Sequence, residues 1–430
     1  MDKKINVLVL PCGAENGIEI HHALKDVVNL KLVGASGKDD HGRFVYENYI
    51  GNMPYITSQE FVGFLNKIIS DHSIDIIIPT HDDVVVKLAQ EQKNINTIVT
   101  TPGLEQALIC RSKKKTYHLF REYQFCPTVF SSLPSADQLP IFAKPDEGQG
   151  GKGAMVIDNE NANLLNEELL RDYVLCELLP GEELTIDCFT DRKGKLRFVG
   201  PRKRDRVFGG ISVRTSTINL TPELNYIATV ISDKLKMNGL WYFQLKKNAN
   251  GDFKILEVSV RTSGSMNLYR ALGVNFPLLT IYNALGYDIT ILKNEYKLTV
   301  DRSLQNKYDA DLEYNTIYID FDDTVTKNGK VNPEVMMFLY NAKWHNKEII
   351  LITKHENDLN EMLYSLAIHK GLFKEIIHIK IKDAKYKYMK NAKTSIFIDN
   401  AFQERVAVKK HLDMPVFDVD AINSLINWKN

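Results

Sequence analysis

Short apolar runs alternate with helical patterns through the first hundred residues. Runs rich in Val, Ile and Leu stand at residues 5–10, 30–33, 74–78 and 97–99. Continuous β-branched runs of this length are typical of strands buried on both faces of a parallel sheet. The pattern therefore predicts a small α/β domain over residues 1–103.

The pattern changes between residues 104 and 292, where the strands are longer and charged turns join them. Residues 191–194 (Asp-Arg-Lys-Gly) and 248–251 (Asn-Ala-Asn-Gly) are each predicted to turn between two strands. This arrangement indicates a mainly antiparallel α+β domain. Residues 293–313 are polar and carry little periodicity, which predicts an inter-domain linker.

Alternation of strands and helices resumes over residues 314–430. Strands are predicted at residues 316–319, 348–352, 376–379 and 395–398, with helical stretches between them. The chain of 430 residues is too long for one hydrophobic core, because single cores stop growing near roughly 250–300 residues. The predicted fold class is therefore a multidomain α/β and α+β protein.

Composition narrows the range of partners. Hydrophobic residues make up 44% of the chain and charged residues 25%, as in ordinary folded proteins. Lysine plus arginine equals aspartate plus glutamate, 54 each, so no global field attracts nucleic acid or anionic lipid. The five cysteines are scattered, and no run approaches the roughly 20 apolar residues of a membrane helix. We expect a cytoplasmic protein with reduced thiols, and a homodimer is left open.

A glycine-rich loop in the middle of the chain is the first candidate for chemistry. Lys144 ends a predicted strand, and four glycines follow it between residues 148 and 153. Such a loop can lay backbone N–H groups over phosphates while the lysine supplies a positive charge. It is not a Walker A loop, because no Gly-Lys-Ser or Gly-Lys-Thr follows. Taken alone, the loop fits a flexible surface segment equally well.

Three further features favour a nucleotide site. Residues 176–187 place an acidic residue, an apolar pair and a turn between two strands, a hinge whose backbone can bond adenine while a carboxylate accepts from ribose. Residues 200–206 are strongly basic. Gln244 and Glu257 project from neighbouring predicted strands, and oxygen ligands so placed suit a Mg²⁺ ion that bridges two phosphates. The basic strand has an ordinary alternative, an edge strand left in solvent.

In this order the features resemble the ATP-grasp superfamily over residues 1–292, including its preceding α/β domain, and most resemble its carbamoyl-phosphate-synthase-like carboxylate-amine ligases. The resemblance implies that residues 148–153 form a mobile lid and that Arg261 touches the transferred phosphoryl group or the acceptor. It assigns nucleotide binding to Lys113, Lys144, Gly150, Gly151, Gly153, Glu177, Leu179, Glu183, Arg202 and Arg204, and metal binding to Gln244, Glu257 and Ser259. Many members have aspartate where Ser112 stands and asparagine where Ser259 stands.

The second candidate site follows the predicted strand at residues 316–319. Asp320, Asp322 and Asp323 are three carboxylates within four residues, and like charges at the end of a buried strand repel unless a cation compensates. A Mg²⁺ site is therefore predicted there. The alternative is a capped loop leading into a helix that starts near Pro333.

Residues 314–430 resemble the haloacid dehalogenase (HAD) phosphatase superfamily, in a form without a cap domain. The resemblance implies an HAD-like Rossmannoid fold in which Asp320 is the nucleophile and Asp322 the general acid and base. Thr353 and Lys385 would hold the phosphoryl oxygens, and Asp320, Asp322 and Asp399 would bind Mg²⁺. Lys380, Lys382 and Lys387 lie near Lys385, and spacing alone does not separate them.

The leading hypothesis is a bifunctional enzyme. ATP and Mg²⁺, with Mn²⁺ as an alternative ion, would serve ligation of a small carboxylate to an amine through an acyl phosphate, and the C-terminal domain would hydrolyse a phosphate ester. A second hypothesis makes the first half a kinase opposed by the phosphatase domain. A third keeps the folds but makes the chain a nucleotide-responsive binding protein.

Overall fold

The structure is a computed structural model that describes residues 4–148, 150–162 and 167–427. The chain divides into two compact units, Met1–Leu304 and Gln305–Asn430. Each unit is described by itself. Among the described residues, no helix has both the length and the apolar character that crossing a membrane requires.

The first part of the first unit is a parallel sheet with strand order β3-β2-β1-β4-β5. Val7 and Val9 in its central strand are fully buried, as the apolar pattern predicts. The strands are β1 (Ile5–Leu10), β2 (Leu30–Ala35), β3 (Asn48–Ile50), β4 (Ile76–Pro79) and β5 (Ile98–Val99), and the helices are α1 (Glu15–Leu24), α2 (Phe61–Asp71) and α3 (Asp82–Gln90). Because α3 begins three residues after β4, it places Asp82 beyond the carboxyl end of that strand.

The rest of the first unit carries two antiparallel sheets, one of order β6-β9-β7-β8 and one of order β14-β13-β10-β11-β12-β15. Both predicted turns are confirmed, since residues 191–194 join β10 to β11 and residues 248–251 join β13 to β14. The strands are β6 (Val129–Phe130), β7 (Ile141–Pro145), β8 (Met155–Ile157), β9 (Tyr173–Glu177), β10 (Glu183–Thr190), β11 (Leu196–Phe208), β12 (Ile211–Thr217), β13 (Gly239–Lys247), β14 (Phe253–Ser259) and β15 (Thr299–Asp301). The helices are α4 (Leu104–Arg111), α5 (Lys113–Phe120), α6 (Glu167–Leu170), α7 (Pro222–Leu235), α8 (Asn267–Ala271) and α9 (Phe276–Ala284).

One hydrophobic core underlies the larger antiparallel sheet. Trp241 and Phe243 of β13 are fully buried in it, together with Ile231 of α7. Val85 and Ala89 of α3 belong to the same core. Residues 1–103 and the region that follows them therefore share buried apolar surface.

The predicted linker at residues 293–313 contains the division between the units, but its first part is not a free connector. Strand β15 pairs antiparallel with β12, and Asp301 of β15 forms ion pairs with Arg206 at 3.0 Å and Arg214 at 2.5 Å. An edge strand of three residues held by charges has no hydrophobic period, which is why the sequence pattern did not indicate it.

The second unit is a parallel sheet of order β20-β19-β16-β21-β22 with a two-stranded β17-β18 hairpin. Its strands are β16 (Thr316–Ile319), β17 (Thr326–Lys327), β18 (Lys330–Val331), β19 (Glu348–Thr353), β20 (Glu375–His378), β21 (Ser395–Ile398) and β22 (Val416–Phe417), and its helices are α10 (Pro333–Trp344), α11 (Leu359–Ser365) and α12 (Phe402–Leu412). Since β16 lies between β19 and β21, Asp320, Thr353 and Asp399 come to the same edge of the sheet.

Candidate functional sites

A cleft of about 260 Å³ in the first unit brings together most residues of the predicted nucleotide site. Strands β7, β9, β10, β11, β13 and β14 contribute to its walls. The residues of the prediction that line it are Lys113, Lys144, Gly150, Gly151, Glu177, Leu179, Glu183, Arg204, Gln244 and Glu257. Lys144 and Glu257 therefore face one cavity, as a shared phosphate and metal site requires.

Two lysines bring positive charge to this cleft. Lys144 of β7 is 8% exposed, its Nζ donates to the carbonyl of Leu256 at 3.2 Å, and it lies 5.2 Å from the centre of the Tyr117 ring. Burial lowers the pKa of Lys144 to about 8, and the neighbouring Lys113 contributes to the fall. Burial also lowers the pKa of Lys113, whose Nζ donates to the carbonyl of Asp146 at 3.0 Å. Removal from water weakens the hold of both groups on their protons, and an anionic ligand would strengthen it.

The hinge after β9 is organised by its acidic residue. The Glu177 carboxylate accepts from the backbone N–H of Thr128 at 2.8 Å, so its side chain fixes the neighbouring segment. Leu179 is buried at the cleft wall. The backbone between Glu177 and Leu179 therefore remains available to contact a flat, apolar base.

Arg204 links three sides of the cleft. Its Nη1 donates to the Glu183 carboxylate and to Gln244 Oε1, the latter at 3.0 Å, and its Nη2 donates to the carbonyl of Gly210 at 2.7 Å. Gln244 stands opposite Glu257 in the β13-β14 register. This pair supplies neighbouring oxygen donors on adjacent strands, which fits a hard cation such as Mg²⁺.

The glycines of the predicted lid loop have different surroundings. Gly150 and Gly151 have φ of 61° and 68° and line the cleft, whereas Gly153 packs near Pro145 and Tyr173 and does not line it. Gly210 at the β11-β12 turn approaches Gly150 so closely that an added Cβ would lie 2.1 Å from the Gly150 carbonyl oxygen. Gln149 of this loop lies outside the described residues.

A smaller pocket of about 50 Å³ shares Lys113, Gly150 and Glu257 with the cleft. It contains Arg261 and Ser259, and both bind the Asp82 carboxylate, Arg261 through Nε at 2.8 Å and Ser259 through its hydroxyl at 2.8 Å. Burial alone would raise the pKa of Asp82, but these two partners hold it below its usual value.

Asp82 was not among the residues predicted for the site. The signal that could have identified it is a carboxylate just after a buried strand, the feature that identified Asp320. Asp82 is also the hydrogen-bond partner of Ser259. The Ser259 hydroxyl, expected to be a metal ligand, is donated to Asp82.

Arg202 was predicted to bind nucleotide, and the structure corrects this. Its guanidinium forms a buried pair with Asp187, with Nε to Oδ2 at 2.7 Å and Nη2 to Oδ1 at 3.3 Å, and Nη2 also donates to Ser263 Oγ at 2.9 Å. Arg202 is 2% exposed and Asp187 is fully buried, so the alternative of a solvent-exposed basic strand does not hold here either. Arg202 stabilises the interior, and Arg204 faces the cleft.

In the second unit, Lys385 lies between two of the predicted catalytic aspartates. Its Nζ donates to Asp320 Oδ1 at 2.5 Å and to Asp399 Oδ2 at 2.6 Å, and all three side chains are buried. Burial raises the pKa of Asp320, Lys385 opposes the rise, and the Asp399 carboxylate adds to it. The structure thus selects Lys385 among the neighbouring lysines. Lys385 begins a short turn of 3₁₀ helix, Lys385–Tyr388.

Asp322 and Thr353 meet a histidine that sequence reasoning missed. His355 Nδ1 lies 2.9 Å from Asp322 Oδ1, and its backbone N–H donates to Thr353 Oγ1 at 3.2 Å. Within the described residues, no group of three or more His, Cys, Asp or Glu side chains is placed to hold a metal ion. That Asp320, Asp322 and Asp399 bind Mg²⁺ stays a prediction: Lys385 lies between the first and the last of these carboxylates, and Asp322 faces His355.

Comparison with known proteins bears on the first unit. Residues 170–307 match the family model described as "ATP-grasp in the biosynthetic pathway with Ter operon". The model ends near the boundary of the units and gives no information on the second. A comparison with curated proteins finds no match.

Several solved structures share the fold at low sequence identity. Biotin carboxylase from Campylobacter jejuni, in a βγ-ATP complex, has a TM-score of 0.56 and 16% identity, covering 68% of this chain and 74% of its own. L-amino acid ligase from Bacillus licheniformis has a TM-score of 0.53 and 18% identity, and the match covers 66% of this chain and 75% of the ligase. N5-carboxyaminoimidazole synthetase from Staphylococcus aureus, complexed with ADP, has a TM-score of 0.55 and 13% identity, and the match covers 68% of this chain and 79% of the synthetase. Together with the family match, these similarities show that the chain contains an ATP-grasp domain.

Proposed function

We propose that the first unit is an ATP-dependent ligase that joins a small carboxylate to an amine. The observation that carries the proposal is that Lys113, Lys144, Gln244 and Glu257 line one cleft, with Arg261 in the pocket beside it. Cations for phosphates, oxygen donors for a metal and a further cation for an acceptor are thus contiguous. L-amino acid ligase is among the proteins with a similar fold.

The reaction has two displacements. An oxygen of the carboxylate attacks the γ-phosphorus of ATP, and ADP leaves. The amine nitrogen then attacks the acyl carbon, phosphate leaves, and the amine gives a proton to solvent. No side-chain nucleophile is needed, so the protein contributes position and charge.

Each charged group has a place in this scheme. Lys113 and Lys144 would bind the phosphates, and Arg261, held by Asp82, would orient the carboxylate or the transferred phosphoryl group. Glu257 and Gln244 would hold Mg²⁺, which offsets phosphate charge when bound. The backbone between Glu177 and Leu179 would meet adenine. The Glu183 carboxylate would take the ribose, with Arg204 fixing its orientation.

Isotope transfer tests the ligase directly. The protein, ATP and Mg²⁺ are incubated with pairs of amino acids or other carboxylates and amines, one carboxylate being labelled with ¹⁸O. An acyl phosphate route moves one ¹⁸O into inorganic phosphate, which ³¹P NMR detects. Asp320→Asn protein is used so that the second unit does not release phosphate. ADP formed without labelled phosphate, or a stable phosphorylated product, would contradict ligation and favour a kinase.

We further propose that the second unit hydrolyses a phosphate ester. The contact that favours this is the Lys385 ammonium between Asp320 and Asp399, which offsets two carboxylates beside the position of an incoming phosphate. Asp320 would attack phosphorus while Asp322 protonates the leaving oxygen. Water, giving its proton to Asp322, would then cleave the aspartyl phosphate and release phosphate.

Neighbouring carboxylates supply a matched pair of variants for this activity. Asp320→Asn should abolish turnover across a panel of phosphate esters. Asp323→Asn removes the same charge three residues away, at a left-handed φ of 51° that asparagine tolerates, and should retain turnover. Equal turnover in both variants would refute the assignment of Asp320.

A further inference from the structure

Asp146 joins the two elements that carry the phosphate-binding lysines. It follows Lys144 by two residues at the end of β7, and its carboxylate receives the Ser112 hydroxyl at 2.9 Å at both oxygens. Asp146 Oδ1 also accepts the backbone N–H of Lys114 at 2.7 Å. The carboxylate therefore lies at the N-terminus of α5, where the helix dipole favours negative charge.

The backbone of Asp146 holds Lys113 itself. Its carbonyl accepts from the Lys113 backbone N–H at 3.3 Å and from Lys113 Nζ at 3.0 Å. Among the described residues no carboxylate forms an ion pair with Lys113, which lines both the cleft and the adjoining pocket. Loss of the Asp146 carboxylate would leave these two bonds to its carbonyl as the described hydrogen bonds from Asp146 to the start of α5, and would so loosen the position of Lys113 relative to Lys144.

Ser112 is the residue that makes this arrangement possible. A hydroxyl can donate to Asp146 and still accept from the backbone N–H of Lys115 at 3.1 Å, as the helix N-cap. A carboxylate at both positions would set two negative charges in contact, which is strongly unfavourable. Only one of the two positions can therefore carry the charge.

We propose that Asp146 is a positioning residue for ATP, and that its carboxylate, acting from β7 across to Ser112, holds Lys113 beside Lys144 for the phosphates. The inference rests on the proposed ATP site of the first unit. It adds that the carboxylate that holds the start of α5, the helix of Lys113, lies just past the strand that carries Lys144.

Binding measurements on the full chain test this without knowledge of the acceptor. MgATP is titrated by calorimetry, and adenosine binding is followed by ligand-observed NMR as a report on the base-binding part of the cleft. Asp146→Ala should weaken MgATP binding by about tenfold, as expected for the loss of charge-assisted hydrogen bonds. Adenosine binding should be unchanged. The control, Glu147→Ala, removes the exposed carboxylate next in sequence, which does not line the cleft.

A charge exchange makes the test independent of lost stability. Ser112→Asp alone should weaken MgATP binding, because the new carboxylate meets Asp146. Ser112→Asp combined with Asp146→Ser restores one carboxylate and one hydroxyl with the places reversed, and should recover affinity to within about threefold of wild type.

Three results would overturn the inference while leaving the ATP site in place. They are unchanged MgATP affinity in Asp146→Ala, an equal loss of adenosine and MgATP binding, and a double variant no better than Ser112→Asp. Wild-type protein that binds adenosine but not MgATP would overturn both this inference and the proposed ligase.

Discussion

The lowered pKa of Lys144 predicts that ATP affinity depends on pH. With a pKa of about 8, the free protein loses this positive charge as pH rises through 8. Phosphate oxygens at the ammonium would raise the pKa in the complex, so binding takes up a proton above pH 8. The sign follows: affinity is fully present below pH 8 and falls above it.

The size of the effect follows from the same pKa. At pH 7 only about one tenth of the free protein is deprotonated at Lys144, and at pH 9 about nine tenths. If only the protonated form binds ATP well, the dissociation constant should rise about tenfold between pH 7 and pH 9. The terminal phosphate, with a second pKa near about 6, is ionised throughout this range and does not contribute.

Calorimetry in buffers of different ionisation enthalpy measures both the dissociation constant of ATP and the number of protons taken up on binding. At pH 9 the heats should reveal uptake of nearly one proton per ATP bound. Lys144→Arg is the control, because a guanidinium keeps its charge throughout this range, and its affinity should be nearly independent of pH. A flat wild-type profile would refute the reasoning. The wild-type slope persisting in Lys144→Arg would assign the titration to Lys113.

Two further predictions concern the interior and the cleft. Arg202→Met leaves Asp187 buried without its partner, and should lower the free energy of unfolding, measured by urea titration, by about 3–5 kcal/mol. The double variant Arg202→Met with Asp187→Leu should recover most of that loss. An Arg202→Met protein as stable as wild type would contradict a stabilising role of Arg202 in the buried pair. Gly210→Ala should speed nucleotide release in stopped-flow measurements, because its Cβ would clash with Gly150. Gly194→Ala has a similar φ of 76° but open space around it, so an equal effect there would contradict a role for the loop contact.

Much of the fold could be predicted because buried strands have a strong local signal. The strands at residues 5–10, 316–319 and 395–398 have the bounds that the apolar runs predict, and the other predicted strands lie within two residues at each end. The comparisons confirm a mixed α/β ATP-grasp fold with several sheets. Strand β15 was missed because charge pairs, which carry no periodicity, hold it in place.

The candidate sites were predictable where a motif fixes the backbone, as at Lys144 and Asp320. They were not predictable where a distant partner decides which way a side chain points. Arg202 and Arg204 stand two residues apart on one strand, yet Asp187 holds one in the interior and the other reaches the cleft. Local spacing carries no information about contacts of that kind.

The shared core of the first unit affects how this protein can be divided. Val85 and Ala89 of α3 pack into the core beneath the larger antiparallel sheet, and Asp82 of the same helix holds Arg261. A fragment beginning at residue 104 would expose this apolar surface to water and leave the arginine without its counterion. Expression of that fragment should yield aggregates, whereas a fragment ending at Leu304 keeps the core whole. The natural place to cut the chain is thus after the edge strand β15, inside the predicted linker at residues 293–313, and not at residue 104, where the strand pattern first changes.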